Sequence, residues 1–477
     1  MVVGSLRQET EVVIIGGGPG GYIAALRVAD LGKEVTLIDD REQLGGVCLL
    51  EGCIPSKTLI NAVEVIETAR NAEKFGLTFS DLKTDLQALR EWTDSVVSGL
   101  AKGVHRLLQR RGVELIRGRA RFESDRAVIV EGADLGAVEF RHCIIATGSR
   151  IQELPLTKDL PVWTSREALR LPEIPETLLI IGGGYIGLEL GQVYTGLGSR
   201  VTMVELLPKL LMGADPDLVE VLLKHCTQRF ESILLESKVV DIEQTSAGFA
   251  VTIEQNGDSV KSEFSQVLVA VGRRPNTDDL GLPNTKITPD RHGFIRVSPE
   301  GRTAVGHIYA IGDVTPGPML AHKASREGKV VAEVIAQHHS AFDNRAIPAV
   351  VYTDPEISWS GLTQREAETQ GIEVNIGRFP LKALGRARTL GRSDGLVKII
   401  SDPKSGLILG VGMVGPLAGE LIAEGTLAVE MGATLEDLLV TIHPHPTLSE
   451  AIMEAAEVAA GSPVHVEPRG KNHNHNR

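Results

Sequence analysis

With 477 residues, 42% of them hydrophobic and 23% charged, the chain is long enough for about three globular domains with sizeable cores. A net charge of −13 leaves no basic stripe for a phosphate backbone or an anionic bilayer, so nucleic acid and membrane surfaces are excluded as partners. No run of about eighteen apolar residues occurs, the opening MVVGSLRQETEVVII lacks a secretory pattern, and four cysteines form no disulfide framework; a cytoplasmic protein is expected.

In chain order, Val12 to Ile15 reads as a buried strand, Gly16 to Gly21 as a turn, Tyr22 to Leu31 as a helix stopped by Gly32, and Val35 to Ile38 as a second strand ending at Asp39. Gly16, Gly18 and Gly21 fit the dinucleotide fingerprint, in which the glycines allow a tight turn, close approach of a pyrophosphate and close helix–strand packing. The helix start then offers N–H groups and a positive dipole end to phosphates. Asp39, 23 residues beyond Gly16, is placed to accept from a ribose hydroxyl.

Next comes GGVCLLEGCIPSK, residues 45–57. Residues five apart in a regular helix have Cα atoms roughly 8–9 Å apart, whereas a disulfide wants about 4.4–6.8 Å. If Cys48 and Cys53 bond, the backbone around Gly52 must leave helical geometry, and such a bond suits redox chemistry better than stapling. The alternatives are two buried small hydrophobes or half a metal site, but zinc needs about four ligands and no second close cysteine pair exists. HCIIATGSR (142–150) is then an apolar strand running into Thr-Gly-Ser, the exit from the first unit.

The nucleotide pattern returns at 178–205 with Gly182, Gly184 and Gly187, and Glu205 again falls 23 residues after the first glycine. One glycine fingerprint is a weak signal; two with identical spacing predict two dinucleotide sites, each in a doubly wound unit. VLVAVGRRPN (267–276) closes the second unit, and 307–335 gives a strand, Gly312-Asp313, a loop and a long helix. From about 346, strand-like runs and two late helices predict a mixed α+β unit, and 466–477 reads as a disordered tail. The fold class expected is α/β, with two Rossmann-like dinucleotide-binding domains and a C-terminal α+β dimerisation domain. The predicted division is 1–149, 150–275, 276–345, 346–465 and the tail.

Thiols exchange electrons poorly with a nicotinamide and readily with a flavin. A cysteine pair inside the first nucleotide unit therefore predicts FAD there and NAD(P) in the second. Glu205 can accept from the 2′-hydroxyl of NAD and would repel the 2′-phosphate of NADP; Leu206, Leu207 and Pro208 follow, with no arginine, so NAD is expected. A relay needs a base, and HPHPTLSEAIMEAAE (443–457) offers His443, His445 and Glu450. A capping box over Thr447–Glu450 or a weak H-x-H metal site would explain that segment equally well. Cys143 and Cys226 read as buried and inert.

The ordered series GGGPGG, GGVC-x4-GCIPSK, ATGS, GGGYIGLE, VGRRPN, YAIGD, AHKA (321–324), TDPE and HPHPTLSE resembles the dihydrolipoamide dehydrogenases within the flavoprotein disulfide reductase family, over the chain to about His465. The resemblance implies oxidation of protein-bound dihydrolipoamide to lipoamide through a Cys48–Cys53 disulfide and FAD, with hydride passed to NAD⁺. It implies that Cys48 meets the substrate and Cys53 faces the flavin, beside Lys57 paired with Glu189. Asp313 would bind the ribityl chain and Asp39 the adenosine ribose. Thr147, Gly148, Gly272, Leu320 and Ala321 are the remaining implied cofactor contacts. His445 would be the acid–base, oriented by Glu450 and supplied by the partner subunit of a homodimer. The implied substrate is a lipoyl-bearing protein, with docking to a 2-oxo acid dehydrogenase complex or a glycine cleavage system.

Three departures from the family pattern stand out: Leu49-Leu50-Glu51-Gly52 replaces the usual Leu-Asn-Val-Gly, Pro444 replaces a small residue, and the histidine-bearing tail past His465 is extra, read as disordered or, alternatively, as a weak adventitious metal binder. Leu50 and Glu51 keep open a second reading, an enzyme of this kind serving a specialised lipoyl carrier and running in the NADH-oxidising direction. A subunit that only binds would need none of Cys48, Cys53, His445 and Glu450.

Overall fold

The computed structural model describes residues 7–133 and 136–467. Arg7–Ile15 lies parallel between Val35–Asp39 and Ala137–Ile145, with Val12 opposite Val35 and His142. Val12 to Ile15 are all buried, Val12 and Ile14 against the helices and Val13 and Ile15 against the antiparallel strands Arg119–Ser124 and Ala127–Glu131, as a continuous apolar run must be when both faces of a sheet are covered. Glu114–Arg117 extends one side. On the other, Ile308–Ala310 pairs in parallel with Ala137–Ile145, so chain from beyond residue 276 returns to complete the first sheet and delivers Asp313 to its carboxyl end.

The second sheet orders Ser232–Leu234, Arg200–Val204, Thr177–Ile181, Gln266–Val269 and Trp163–Thr164, all parallel. The third is wholly antiparallel: Ala349–Val351, Glu356–Gly361, Ile408–Gly415, Leu396–Ser401 and Asn375–Pro380. Two α/β units on parallel strands, the first extended by the antiparallel strands Ala127–Glu131 and Arg119–Ser124 beside Ala137–Ile145, and an antiparallel α+β unit are the fold class expected.

Several local expectations need correction. The first helix is Pro19–Asp30, not 22–31, because Pro19 sits in its first turn with φ preset for a helix. The apolar strand that runs into Thr147-Gly148-Ser149 ends at Ile145 as expected, but Ser149–Ile151 then forms a further short strand pairing with Arg273–Pro275. The C-terminal stretch holds three late helices instead of two: Ala418–Met431, Leu435–Val440 and Glu450–Ala460. Gly432 at φ +68° ends the first, and a Thr434/Asp437 capping box starts the next. The expected tail lies outside the described residues from 468 on, while Val466 packs partly against the third core. Among the described residues no helix is long and apolar enough to cross a membrane.

The second and third units are joined by a buried charge cluster. Lys398 has no exposed side-chain surface and sets Nζ 2.6 Å from Asp215 Oδ2 and 2.7 Å from Asp217 Oδ1. Asp215 also accepts from the N–H groups of Gln364 and Arg365. Burial raises the Asp217 carboxyl, but hydrogen bonds from Lys398 and Arg378 outweigh it and hold it below its ordinary value. Removing one partner leaves uncompensated buried charge. Lys398→Ala is therefore expected to cost about 3–5 kcal/mol in urea unfolding, with Lys398→Met recovering part of the loss because it restores packing without charge.

Candidate active site

The two glycine turns are built alike. Gly16 and Gly182 have φ of +104° and +114°, and a Cβ on either would stand 2.3 or 2.4 Å from the carbonyl oxygen of Ala146 or Ala270. Only glycine meets that demand. At the third glycines, Gly21 and Gly187, a Cβ would lie 1.8 and 2.1 Å from the oxygens of Gly16 and Gly182, which is the close helix–strand contact. The middle glycines differ. A Cβ on Gly18 would meet nothing nearer than 3.8 Å, and on Gly184 nothing within 4 Å. Neither helix start carries a side-chain cap. Open space above uncapped N–H groups is what a pyrophosphate requires, so both turns fit a dinucleotide.

Asp39 and Glu205 close the two turns in the same manner. Asp39 accepts from Gly17 N–H at 2.6 Å and Arg41 N–H at 2.9 Å; Glu205 accepts from Gly183 N–H at 2.6 Å and Leu207 N–H at 2.8 Å. Burial pushes the Asp39 carboxyl up, against the two N–H bonds that favour its ionised form. Each carboxylate is thus fixed in direction at the end of its strand.

Gly52 interrupts what would be one helix. Gly46–Glu51 ends there and Cys53–Arg70 begins. Gly52 takes φ −144° and ψ −103°, which brings the Cα atoms of Cys48 and Cys53 to 4.7 Å in a disulfide. Any larger residue at 52 would set its Cβ 2.9 Å from the oxygen of Val47. Cys53 opens an 18-residue helix, whose positive N-terminal end favours a thiolate. One turn on, Lys57 Nζ lies 2.8 Å from Glu189 Oε2 and 4.4 Å from the Tyr352 ring centroid. Tyr352 N–H donates to Glu189 Oε1 at 3.0 Å. The other two cysteines are buried and free; burial pushes the Cys226 thiol up to about 11 and that of Cys143 higher still, so both are inert.

A cavity of about 500 Å³ joins these parts, within the ordinary range of ligand sites. Its walls bring together Gly16, Gly18, Asp39, Cys48, Cys53, Lys57, Thr147, Gly148, Glu189, Asp313 and Ala321. Leu320 does not line it; Met319 and Ala321 do, because Leu320 is the cap residue of the helix Ala321–Ile335. Gly182, Gly184, Gly187, Glu205 and Gly272 lie outside it, the first four forming the second turn and Gly272 the bend at φ +117° before Arg273. Residues that sequence reasoning missed hold Asp313: Ser149 Oγ donates to Asp313 Oδ2 at 2.5 Å and accepts from Arg273 Nε at 2.8 Å. The VGRRPN motif contained Arg273, but nothing local could pair it with Ser149.

His445 and Glu450 also lie away from the cavity. His445 Nδ1 is 2.8 Å from Glu450 Oε1, and the imidazole is 78% exposed. Glu450 Oε2 accepts from Thr447 N–H at 2.7 Å, but the Thr447 hydroxyl turns to Pro444 O and Ser449. Only half of the expected capping box forms, and the other carboxylate oxygen is left for His445. Burial raises the Glu450 carboxyl, yet the bonds from Thr447 and His445 prevail and keep it below its ordinary value.

The described geometry agrees with comparisons to known proteins. Residues 10–328 match the pyridine nucleotide-disulphide oxidoreductase family model, and 347–456 match that family's dimerisation domain. Proteins named dihydrolipoyl dehydrogenase are similar along nearly the whole chain: that of Haloferax volcanii is 45% identical, covering 98% of this chain and 99% of its own, and that of Geobacillus stearothermophilus is 44% identical with the same coverage. The crystal structure of LpdA from Mycobacterium tuberculosis superposes with a TM-score of 0.87 at 29% identity, covering 94% of this chain and 99% of its own. Two nucleotide turns, a disulfide facing the first of them and a dimerisation domain beyond have one common explanation: the chain belongs to the pyridine nucleotide-disulphide oxidoreductase family.

Proposed function

We propose that this enzyme oxidises protein-bound dihydrolipoamide to lipoamide with NAD⁺ as final acceptor and FAD as resident cofactor. The observation that carries the reading is the Cys48–Cys53 disulfide in the wall of the same cavity as the first glycine turn, Lys57 and Asp313. Gly16, Gly18, Asp39, Thr147, Gly148, Asp313 and Ala321 hold FAD; Gly182, Gly184, Gly187 and Glu205 hold NAD⁺, with Gly272 at the edge of that unit. FAD, when bound, supplies a carrier that takes an electron pair from a thiolate and yields it to a nicotinamide as hydride.

The chain's own residues perform the sulfur chemistry. His445 takes a proton from one substrate thiol, and the thiolate attacks Cys48 Sγ. The Cys48–Cys53 bond breaks, and Cys53 leaves as a thiolate, favoured by its helix start and by the nearby Lys57 ammonium. The second substrate thiol then attacks the substrate sulfur of the mixed disulfide, its proton passing to the departing Cys48 thiolate, which is freed as a thiol while His445 keeps the first proton. The substrate loses two electrons and two protons and departs as lipoamide; the cysteine pair gains the electrons. Glu450 holds the imidazole by Nδ1 so that Nε2 faces the thiols.

The acid–base is contributed by a second copy. Within one chain His445 lies outside the cavity, and apolar side chains near it are turned outward, Ile442 at 94% and Val440 at 70% exposed. A homodimer through residues 347–456 covers such a face and brings the histidine to the other chain's disulfide. The lipoyl group arrives on a carrier protein of the kind that 2-oxo acid dehydrogenase complexes use.

Anaerobic mixing of the FAD-loaded protein with dihydrolipoamide is expected to give a long-wavelength charge-transfer band, followed by NADH when NAD⁺ is added. A spectrum unchanged by the dithiol, with no NADH formed, would overturn the assignment.

A further inference from the structure

Glu51 lies between the two cysteines, and a lone carboxylate there would oppose formation of either thiolate. The structure surrounds it otherwise. Its Oε2 is 3.3 Å from Arg41 Nη2 and 3.1 Å from Arg166 Nη2. Arg41 follows the strand that ends in Asp39, and its own N–H holds that carboxylate. Arg166 comes from the second nucleotide unit, on the short helix Ser165–Leu169. Glu51 closes the helix that carries Cys48, and positions three apart share a helix face. Glu51, Arg41 and both cysteines border the same cavity. The field extends further in: Glu51 and Arg166 act with opposite signs on the half-buried Arg273 guanidinium, which holds Ser149 beside Asp313.

We propose that Glu51, Arg41 and Arg166 form an ionic clamp that sets the charge at the redox turn, the two arginines favouring the thiolates of Cys48 and Cys53 and Glu51 offsetting one of them. Glu51 is a positioning residue here: it holds two guanidinium groups from different units against the turn. The net charge of the cluster is +1. Ion pairs that solvent still reaches contribute little to stability, so the clamp acts chiefly through its field on the sulfurs. Other charged groups of the same cavity, among them Lys57, Glu189, Arg273 and Asp313, are unchanged in the variants below, as is His445 of the partner subunit in the proposed dimer. Because Arg166 rides on the second unit, the reactivity of the sulfurs depends on how that unit seats against the first.

The inference rests on the redox-pair reading, and the test separates the two. The FAD-loaded protein is reduced with dithiothreitol under argon, and alkylation of Cys48 and Cys53 by iodoacetamide is followed against pH by mass spectrometry. Glu51→Gln takes the cluster to +2 and is expected to move the midpoint of alkylation down by about half to one pH unit. Arg166→Gln takes it to zero and is expected to move the midpoint up by a similar amount, as is Arg41→Gln. The double variant Glu51→Gln/Arg166→Gln restores +1 and is expected to return close to wild type. A purely structural tie predicts the reverse pattern: both single changes shift the midpoint the same way and the double is no better. That pattern, or no shift in any variant, overturns the clamp. If dithiothreitol exposes no alkylatable pair in the wild type, the redox reading itself falls, and the clamp with it.

Discussion

Replacing Cys48 with serine is expected to reduce NADH formation from dihydrolipoamide on the order of 10³-fold or more, and Cys53→Ser to do the same. The substrate thiolate needs a disulfide to attack, and neither half of a broken pair offers one. Because the sulfurs act as one unit, the double variant should be no worse than either single variant. The geometry supports this equivalence, since the break at Gly52 brings the Cα atoms to 4.7 Å. A serine in place of a cysteine changes little in volume, so both nucleotide turns should remain intact. NADH-driven reduction of an artificial quinone, which bypasses the cysteines, is therefore expected to survive in all three variants. Steady-state assays with both acceptors check the split. Losses that multiply in the double variant would mean that the two sulfurs serve separate reactions, and parallel loss of quinone reduction would mean that the substitutions damage the nucleotide cavity.

Features imposed by a local chemical demand were readable along the chain. The turn at Gly16 tolerates no Cβ, and the one at Gly182 repeats the demand, so spacing alone marked both nucleotide sites. The conflict between helix geometry and a bond from Cys48 to Cys53 likewise pointed to Gly52, where the helix breaks. The boundary between Ala418–Met431 and Leu435–Val440 was missed because the apolar pattern runs on across Gly432, and a single left-handed glycine ends the helix.

Partnerships between distant segments were legible only where a motif carried them. Lys57 and Glu189, 132 residues apart, were paired through the resemblance alone. Tyr352 beneath that lysine, Ser149 on Asp313, and the two arginines on Glu51 leave no mark in the local sequence, since each depends on how two units pack. Glu51 shows the consequence. Read in sequence it is an added negative charge between two thiols; in three dimensions it belongs to a cluster that is net positive.

The proposed sharing of the active site between two copies gives the second large effect. His445→Gln is expected to lower turnover with dihydrolipoamide about 10²–10⁴-fold, the usual contribution of a positioned acid–base. Unfolding should be nearly unchanged, because the ring is 78% exposed in the single chain. Cys48→Ser is as inactive for a different reason. If each site takes its cysteines from one chain and its histidine from the other, a dimer that pairs the two variants contains one site with both defects and one with neither. Random reassociation of equal amounts makes half of the dimers hybrid, so about a quarter of wild-type activity should return. If His445 served the disulfide of its own chain, every site in the mixture would carry one defect, and no activity would return. Mixing the two inactive variants after reversible dissociation, with the unmixed variants carried through the same treatment, therefore decides between a site within one chain and a site across two. The position of His445, outside the cavity and beside Ile442 with 94% of its surface exposed, favours the site across two.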